Sequence, residues 1–467
     1  MFYGWDKTKS SNVYHEYRNL IKSLTLSADD YIQLKKAFAG GFTHANALYV
    51  GDIVNNVYSF DFTSSYPYVM LSEKFPMSTP KEVVINSKDE FNNYLKHFAC
   101  IFDIKFYDLK SKFKFENYIS KSHCSILRGA VENNGRIVSA SELKTTITEQ
   151  DYFIIRRYYK CKKYEISNFR IMIKAYLPTN FVKTILEYYV NKTELKDVKG
   201  REVDYAQAKE RINSLYGMCV TDICRDKIEY SPLEWTKTNP DIEKAINKEN
   251  GSLKRFLYYP WGVWVTAYAR FNLFTAITEL KEDYIYSDTD SVKFINYEKH
   301  KDYFEKYNNS VVLKLKRSMK HHNIDFNLTR PKNNKGEVKQ IGIWDDEKPC
   351  TKFKTLGAKR YMVEKNGEIK ITVAGLNKEV ARTYLLNKYG NKVFDAFNDE
   401  LYIPKGCTGK QTHTYIDDEK SGILVDYLGN KDNYYEKSAI HLEDADYTLS
   451  LSELFIKYLM GVEDDYD

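Results

Sequence analysis

The sequence predicts an α+β protein that folds as two or more subdomains. Its 467 residues exceed what a single ordinary hydrophobic core supports. Alternating apolar residues favour a strand that runs into a helix at 57–70, and a β-hairpin over 352–375 that turns at an Asn-Gly pair. Helical periodicity dominates 180–218 and 261–283. Hydrophobic content of 43% with 29% charged residues is typical of a folded chain.

The remaining segments follow from local patterns. A short helical pattern near Tyr14–Leu24 precedes a Gly-Gly turn flanked by aromatic residues at 36–46. Strand-like pieces alternate with polar loops over 73–178, whereas 222–256 is predicted to be irregular and charged. The C-terminal part is mixed and ends in an acidic tail, and the sequence contains no internal repeat.

Charge and cysteine content narrow the function classes. A net charge of +6 and a pI near 8.5 fit a nucleic-acid partner and a lysine-rich soluble protein equally well. The 40 Tyr and 25 Phe can serve as core residues or as platforms for base stacking. Seven scattered cysteines without a CxxC pair argue for free thiols and against a zinc site or a disulfide framework. The sequence has neither an apolar run of membrane-spanning length nor a signal peptide's apolar centre, so we expect a cytoplasmic protein.

Two aspartates lie one residue apart in YIYSDTDSVKF (284–294), a stretch that is otherwise mostly apolar and aromatic. In a strand, Asp288 and Asp290 would face the same side, about 7 Å apart along the chain. Two carboxylates on one face repel each other unless a cation lies between them. An acidic hairpin tip, with the small Thr289 at the turn, is the simpler explanation of this motif taken alone.

Asp61 supplies a third carboxylate. It ends an apolar strand in FDFTSSYP (60–67), where Tyr66-Pro67 redirects the chain. Carboxylates at the ends of two strands can converge on a pair of metal ions, and such hard oxygen ligands suit Mg²⁺, which also binds substrate phosphates. Two such ions about 4 Å apart can activate an attacking 3′-hydroxyl and stabilise a leaving pyrophosphate.

The helical segment AKERINSLYG (208–217) offers a counterpart to these acids. Lys209, Asn213 and Tyr216 recur at spacings of three and four, so they share one helical face. A lysine there can neutralise triphosphate oxygens, and a tyrosine further along the same face can pack on a nucleobase. An amphipathic helix that ends in a cap at Gly217 is the more economical explanation of this segment alone.

Taken together, these segments resemble the motifs of family B DNA polymerases. DFTSSYP (61–67) resembles motif A, usually DxxSLYP; KERINSLYG (209–217) is similar to motif B, KxxxNSLYG; and YSDTDS (286–291) is similar to motif C, YxDTDS. LGAKRYMV (356–363) and IGIWDDE (341–347) resemble the KxY motif and the LGxWxxE segment before it. The order of the motifs, with room for two insertions, resembles the protein-primed branch of phages and linear plasmids.

The resemblance implies a right-hand polymerase fold with an antiparallel β-sheet palm, helical fingers, a small thumb and two insertions. The predicted segments are the N-terminal segment and start of the palm (1–50), palm with motif A (51–72), first insertion for a priming protein (73–178), fingers (179–221), second insertion for strand displacement (222–256), palm with motif C and KxY (257–390), and thumb with tail (391–467). Ordinary connecting loops are the alternative for both insertions.

The resemblance also implies roles for individual residues. The catalytic carboxylates, which would hold two Mg²⁺ or substitute Mn²⁺ ions together with the Phe62 carbonyl, are Asp61, Asp288 and Asp290. The residues expected at the incoming nucleotide are Ser64, Ser65, Tyr66, Lys209, Asn213 and Tyr216, with Tyr66 as the gate against a ribose 2′-hydroxyl. The residues expected at the primer and template are Gly40, Gly41, Thr289, Lys359 and Tyr361. Lys192 is a weaker candidate for a second triphosphate lysine, because it lies further from Lys209 along the chain than the family pattern has it.

Some features depart from the family pattern. Ser65 stands where leucine is usual, and Phe38 in FAGG (38–41) lacks the hydroxyl of the usual tyrosine. Only 60 residues precede Asp61, and none of them forms the early DxE motif of the family's exonuclease domain. We therefore expect a polymerase core without its own 3′–5′ exonuclease, arising from a split gene or from truncation.

The function that the resemblance implies is template-directed addition of deoxynucleotides to a primer 3′-hydroxyl or a priming-protein hydroxyl, in viral or plasmid DNA replication. The expected partners are primer–template DNA, deoxynucleoside triphosphates, a terminal priming protein and a separate exonuclease subunit, with no membrane. A catalytically silent DNA-binding subunit and a primer-independent polymerase of the same branch are the alternatives.

Overall fold

A computed structural model describes residues 7–230, 235–416, 420–425, 428–436 and 439–461. They fall into two compact units. The first unit takes its described residues from Met1–Ala47, Tyr58–Glu347 and Lys457–Asp467, and the second from Leu48–Val57 and Lys348–Ile456. The predicted acidic tail lies outside the described residues.

The first unit mixes helices and strands. Its helices are α1 Lys7–Ser23, α2 Ala28–Ala37, α3 Ser65–Ser72, α4 Lys88–His97, α5 Glu149–Tyr158, α6 Thr179–Leu195, α7 Glu202–Cys219, α8 Ile242–Gly251, α9 Tyr259–Leu280 and α10 Tyr297–His322. Its strands are β1 Thr43–Ala45, β2 Val54–Phe62, β3 Phe75–Pro76, β4 Lys81–Glu82, β5 Phe98–Ser111, β6 Cys124–Arg128, β7 Val131–Asn133, β8 Arg136–Thr148, β9 Tyr159–Lys160, β10 Lys163–Ala175, β11 Lys227–Tyr230, β12 Trp235–Thr238, β13 Tyr284–Asp288 and β14 Ser291–Phe294.

An antiparallel sheet in this unit carries the three predicted catalytic aspartates. Its strand order is β1–β13–β14–β2, and β13 with β14 forms the hairpin predicted in YIYSDTDSVKF. Helix α9 is buried along most of its length, as an apolar helix of this kind should be. Its Leu273 and Ile277 share a buried cluster with Phe294 of β14. The sheet therefore rests on a rigid apolar base.

The first insertion is a sheet of its own. Strands β3, β10, β5, β8 and β6 are neighbours in that order, and the short strands β4, β7 and β9 pair with β10, β8 and β5, respectively. Phe102 and Ile104 of β5 lie in the same buried cluster as Phe60 and Phe294 of the catalytic sheet. The alternative that 73–178 consists of ordinary connecting loops is therefore wrong, because the insertion and the catalytic sheet share one core.

The predicted helical region 180–218 is confirmed as the neighbouring helices α6 and α7. The expectation that 222–256 is irregular is wrong. Its described part contains the antiparallel pair β11–β12 and helix α8, which is capped by the Asp241 side chain accepting from the Lys244 N–H. Only Ile246 is buried within α8, so this largely polar helix has little apolar pattern from which it could be predicted.

The second unit is built around a three-stranded meander. Its strands are β15 Trp344–Thr355, β16 Arg360–Lys365, β17 Glu368–Val373, β18 Tyr402–Ile403, β19 Gln411–Ile416, β20 Lys420–Val425, β21 Lys431–Glu436, β22 Ala439–Asp444 and β23 Tyr447–Thr448, and its helices are α11 Lys378–Tyr389, α12 Val393–Ala396 and α13 Glu453–Leu459. Three elements run across the unit bounds: the first residues of β15, the last of α13 and all of β2 from Tyr58 onward belong to the first unit. The predicted hairpin turn is confirmed: Asn366 and Gly367 both have positive φ, as a type I′ turn requires. Met362, Ile371 and Leu385 form part of the core of this unit.

No helix in the described ranges is long and apolar enough to cross a membrane. The seven cysteines are free thiols, as predicted.

Candidate active site

The turn between β13 and β14 holds Asp288, Thr289 and Asp290. Thr289 has a φ of 61°, in the left-handed region that β-branched residues avoid, and the Asp290 N–H donates to the Asp288 carbonyl at 2.7 Å. The expectation that the two aspartates occupy alternate positions of one strand is therefore wrong. Asp288 ends β13 and Asp290 lies in the turn, so their side chains have different surroundings.

Contacts from the Gly-Gly loop fix this turn. The Thr289 N–H donates to the Phe42 carbonyl at 2.7 Å. A Cβ atom at Gly41 would lie 2.5 Å from Thr289 Cγ2, so only glycine permits this approach. The Thr43 hydroxyl donates to Asp288 Oδ1 at 2.8 Å. Gly41 and Thr289, assigned by resemblance to primer and template contact, thus also shape the turn.

Asp61 lies beside Asp290 because β2 pairs with β14. Ser291 is opposite Asp61 in the antiparallel register, and the Phe62 N–H donates to the Asp290 carbonyl at 2.7 Å. The buried Phe62 ring stacks on Trp344, with 3.7 Å between the ring centroids. The end of β2 is therefore held firmly against the turn.

Electrostatics single out Asp61. Burial, then the charge of Asp290, raise the pKa of the Asp61 carboxyl from 3.8 to about 7, with Lys293 acting in the opposite direction. The ionised form of Asp61 is therefore destabilised, because its surroundings compensate its negative charge less well than bulk water or a bound cation would. This is the state expected of a carboxylate that binds a positively charged ligand.

Two acids that the sequence analysis did not assign to the site also act on Asp61. Glu347, and more weakly Asp345, raise the pKa of its carboxyl. Glu347 accepts a hydrogen bond from the Ser59 hydroxyl at 2.9 Å, and the buried Lys293 ammonium donates to the same hydroxyl at 2.9 Å. Both acids lie in IGIWDDE, a segment noted from the sequence only for its resemblance.

The donor set fits Mg²⁺ bound with its substrate. Within the part of the chain that the structure describes, no three His, Cys, Asp or Glu side chains are close enough to hold a metal ion. Mg²⁺ is usually bound through one or two carboxylates plus waters and substrate phosphates. Asp61 and Asp290 match that pattern, whereas Asp288 is engaged by Thr43.

Lys192 on α6 lies at the site, although the sequence indicated it only as a weaker candidate for a second triphosphate lysine. Its ammonium donates to the Ser64 hydroxyl at 2.9 Å. Burial, then the charge of Lys209, lower the pKa of Lys192, while Asp61 and Asp290 oppose that shift. Two lysines therefore lie within electrostatic range of each other, and Lys192 within range of the carboxylates. Ser64, the N-cap residue of α3, has a φ of 58°, in the left-handed region.

Helix α7 presents a tyrosine to the start of α3. The rings of Tyr66 and Tyr216 have centroids 4.4 Å apart. Burial, then Tyr216, raise the pKa of the Tyr66 hydroxyl, so it stays protonated. Gly217 lies inside α7, which continues to Cys219, so the alternative of a C-terminal glycine cap is wrong. Among the described residues, and apart from the adjoining part of α7 itself, no atom lies within 4 Å of the place where a Gly217 Cβ would be.

The other expected nucleotide contacts differ in exposure. Lys209 and Asn213 are exposed on α7, on the side of Tyr216. Ser65 is only 4% exposed, so its side chain packs inward, and its contact with a nucleotide stays a prediction.

Arg270 supports the Gly-Gly loop beside the candidate site, and the sequence analysis did not identify it. It is buried on α9, pairs with Asp151 at 2.7 Å, and donates to the carbonyls of Ala39 and of Gly40, the latter at 3.0 Å. Through these two hydrogen bonds the Arg270 guanidinium holds the Gly-Gly loop in place. The sequence does contain an indication of its importance, because Arg270 is a lone charge in the otherwise uncharged stretch 259–278.

The second unit carries the two remaining candidates. Lys359 is exposed in the turn between β15 and β16, with a φ of 53°, and its carbonyl accepts from the Ala374 N–H at 2.9 Å. Tyr361 lies on β16, opposite Thr355 and Thr372, with its side chain half-exposed.

Comparison with known proteins identifies the family. A family model described as "DNA polymerase type B, organellar and viral" matches residues 7–310, more than half of the chain. The protein belongs to this family. The predicted resemblance to family B polymerases is thereby confirmed.

Curated relatives are DNA polymerases of Bacillus phages. The polymerase of phage B103 is 27% identical over 298 residues, and that of phage phi29 is 25% identical over 294 residues. These matches cover 59% of this chain and 45% or 44% of the relative. The chain thus spans somewhat under half the length of the curated relatives it matches. They support the predicted protein-primed phage branch.

Solved structures confirm the fold class. Phi29 DNA polymerase complexed with primer-template DNA and incoming nucleotide substrates matches with a TM-score of 0.57 and 18% identity, over 94% of this chain and 67% of that one. Its complex with primer-template DNA alone gives a TM-score of 0.58 and 17% identity, over 92% and 64%. The α+β, polymerase-type fold predicted from the sequence is therefore correct.

The raised pKa of Asp61 predicts how stability depends on pH. Because the folded pKa exceeds the unfolded one, the folded state binds more protons, and stability is lost as pH rises from about 4 through 7. Relative to Asp61→Asn, the wild type should lose up to about 4 kcal/mol between pH 4 and 8 in the presence of a chelator. Chemical denaturation followed by tryptophan fluorescence measures this difference.

The exposed Asp302→Asn on α10 is the matched control and should follow the wild type. Added Mg²⁺ should restore wild-type stability at pH 8 and leave Asp61→Asn almost unchanged. Parallel pH curves for wild type and Asp61→Asn would contradict the account of Asp61.

Proposed function

We propose that this chain is the polymerising part of a DNA-directed DNA polymerase. It would add deoxynucleotides to a primer 3′-hydroxyl, or to a hydroxyl of a priming protein, under the direction of a template. The observation that carries the proposal is the meeting of Asp61 and Asp290 at one end of a sheet, within electrostatic range of a lysine from the neighbouring helix pair. Opposite charges so arranged suit a cation together with a triphosphate.

Asp61, Asp290 and the Phe62 carbonyl would hold two Mg²⁺ ions, with Asp288 assisting at the primer end and Mn²⁺ as a possible substitute. The ions would supply a more acidic 3′-hydroxyl and charge neutralisation at the leaving pyrophosphate. Asp288 has a distinct task, because its carboxylate is tied to Thr43 and so anchors the turn on the primer side.

The protein's own side chains would bind and orient the nucleotide. Lys192 and Lys209 would take the triphosphate oxygens, whose negative charge would compensate the burial that lowers the pKa of Lys192. The adjoining rings of Tyr66 and Tyr216 would form the wall for sugar and base. A 2′-hydroxyl would meet Tyr66, which would make this ring the gate against ribonucleotides. Asn213, on the same helix face as Tyr216, would contact the nascent pair.

The remaining roles concern DNA and partners. Gly40, Gly41 and Thr289 would lie along the template and primer, and Lys359 with Tyr361 would hold the primer strand. The first insertion would bind a priming protein, and the second would help to separate the downstream strand. The setting would be phage or plasmid replication in a host cytoplasm. Lack of 3′–5′ exonuclease activity in this chain stays a prediction, which digestion of a labelled primer tests.

Replacing Asp290 tests the reaction. Asp290→Ala should reduce Mg²⁺-dependent primer extension below detection, because the shared cation site is lost, while primer–template binding and folding persist. Primer extension on a labelled hairpin measures the first quantity, and fluorescence anisotropy the second. The exposed Asp302→Ala is the control and should extend the primer normally.

Each alternative gives a different pattern in the same assay. A wild-type protein that binds DNA but extends nothing with Mg²⁺ or Mn²⁺ is a silent DNA-binding subunit, and the proposal fails. Extension that needs neither primer nor priming protein identifies the primer-independent enzyme.

Replacing Lys192 tests the triphosphate site. Lys192→Ala should raise KM for the incoming nucleotide by about 10- to 100-fold, the effect of losing a hydrogen bond to a charged group. Affinity for primer–template should not change, because Lys192 lies by Ser64 and the carboxylates. Lys183→Ala, exposed on the same helix, is the control. An unchanged KM in steady-state single-nucleotide addition would remove Lys192 from the site.

A further inference from the structure

A buried carboxylate connects the first insertion to the catalytic sheet. Glu116, between β5 and β6, has no exposed surface, and its Oε1 lies 2.6 Å from Nδ1 of His44 on β1. Its Oε2 accepts a hydrogen bond from the Tyr284 hydroxyl on β13 at 2.9 Å. One side chain of the insertion therefore holds two neighbouring strands of the catalytic sheet.

Both of those strands meet at Asp288. In the β1–β13 register, Thr43 is opposite Asp288 and His44 is opposite Ser287. Thr43 donates to the Asp288 carboxylate at 2.8 Å, and the Ser287 hydroxyl lies 2.8 Å from the Tyr284 hydroxyl. His44 is adjacent to Thr43, which contacts Asp288, and Tyr284 contacts Ser287, which is adjacent to Asp288. A shift of His44 or Tyr284 would therefore displace Asp288.

The polar groups around Glu116 are buried and lie close to one another. His44 Nε2 lies 3.1 Å from the Asn133 carbonyl, and the Asn117 N–H donates to Glu116 at 2.7 Å. Both neighbours of the His44 ring are acceptors, the Glu116 carboxylate on the Nδ1 side and the Asn133 carbonyl on the Nε2 side. Burial, then Glu116, raise the pKa of Tyr284, which keeps its hydroxyl a donor. Buried polar groups packed this closely restrict one another's positions, because the hydrogen bonds that they do make are costly to break.

We propose that Glu116 is a positioning residue for the polymerase reaction. It would hold β1 and β13 in register, and so keep Asp288 and the turn with Asp290 against Asp61. The inference rests on the proposed function and gives the first insertion a second task besides binding a priming protein. Groups that orient metal-binding residues from one layer behind typically change activity by 10- to 100-fold when removed.

Glu149 provides a matched control within the same insertion. It also has no exposed surface, pairs with Lys174 at 2.8 Å, and accepts from the Cys100 N–H at 2.9 Å and the Trp264 indole N–H at 3.0 Å. None of these partners lies in β1, β13 or β14. Glu149→Gln should therefore destabilise the insertion as Glu116→Gln does, without disturbing the catalytic turn.

The test compares kcat and KM for single-nucleotide addition with thermal stability in the two variants. Both should unfold at lower temperature, but only Glu116→Gln should lower kcat, by about 10- to 100-fold, with little change in KM for the nucleotide. Combining Glu116→Gln with His44→Gln gives a neutral amide pair and should recover part of the lost kcat. A general loss of stability would not be rescued in this way.

Tyr284→Phe is the milder variant should Glu116→Gln fail to fold, and it should lower kcat with little loss of stability. Equal kcat losses in Glu116→Gln and Glu149→Gln, or an unchanged kcat in Tyr284→Phe, would overturn the inference while leaving the proposed function intact. If the wild type adds no nucleotide, the proposed function fails by itself. Mn²⁺ affinity, followed by electron paramagnetic resonance, then decides: weakening of at least 10-fold in Glu116→Gln or Tyr284→Phe supports positioning, and unchanged affinity refutes it.

Discussion

The fold brings the carboxylates of Asp61 and Asp290 together at the end of a buried sheet. The repulsion between them governs the rest of the site. The pairing of β14 with β2 sets Asp61 next to the Asp290 turn, with Ser291 as its opposite residue. Apolar packing under one face of the sheet, where Phe60 and Phe294 lie, holds both strands in place. The repulsion and burial raise the pKa of Asp61 to about 7, and a divalent cation would relieve both.

Several other contacts and backbone conformations stabilise the placement of Asp61 beside the Asp290 turn. Gly342 donates its N–H to the Thr63 carbonyl at 2.8 Å, and a Cβ at Gly342 would lie 2.1 Å from the Tyr68 ring. The segment that brings Glu347 near Asp61 therefore passes against α3 at a place where only glycine fits. Thr289, next to Asp288 and Asp290, and Ser64, three residues after Asp61, adopt left-handed backbone conformations. Strained residues of this kind persist where the surrounding structure imposes them, often at functional sites.

The sequence predicted those parts whose signals are local. The strand-to-helix passage at Asp61, the Asn366-Gly367 turn and the helices α6, α7 and α9 follow from periodicity and turn chemistry, and they are present. Charged segments without an apolar pattern, such as α8 and its preceding hairpin, could not be recognised. The i, i+2 rule failed at Asp288 and Asp290 because it assumes a continuous strand, and Thr289 breaks that strand.

Residues that act through distant partners were also hidden. Glu116 and His44 lie 72 positions apart in the sequence (116 minus 44) but 2.6 Å apart in space. Arg270 could have been noticed as a lone charge, but its partner Asp151 and the loop it holds could not. The proximity of Lys192 to the site was hidden for the same reason. Its separation from Lys209 along the chain does not predict their separation in space, because α6 and α7 pack side by side.

The central claim is that Asp61 and Asp290 form one cation site. Mn²⁺ binding to wild type, Asp61→Asn, Asp290→Asn and the double variant, measured by electron paramagnetic resonance, tests it most directly. A shared site predicts that each single variant weakens binding strongly and that the double variant is hardly weaker than either, because the two losses are not additive. Losses that multiply in the double variant, or single variants that bind Mn²⁺ like the wild type, would contradict a shared site.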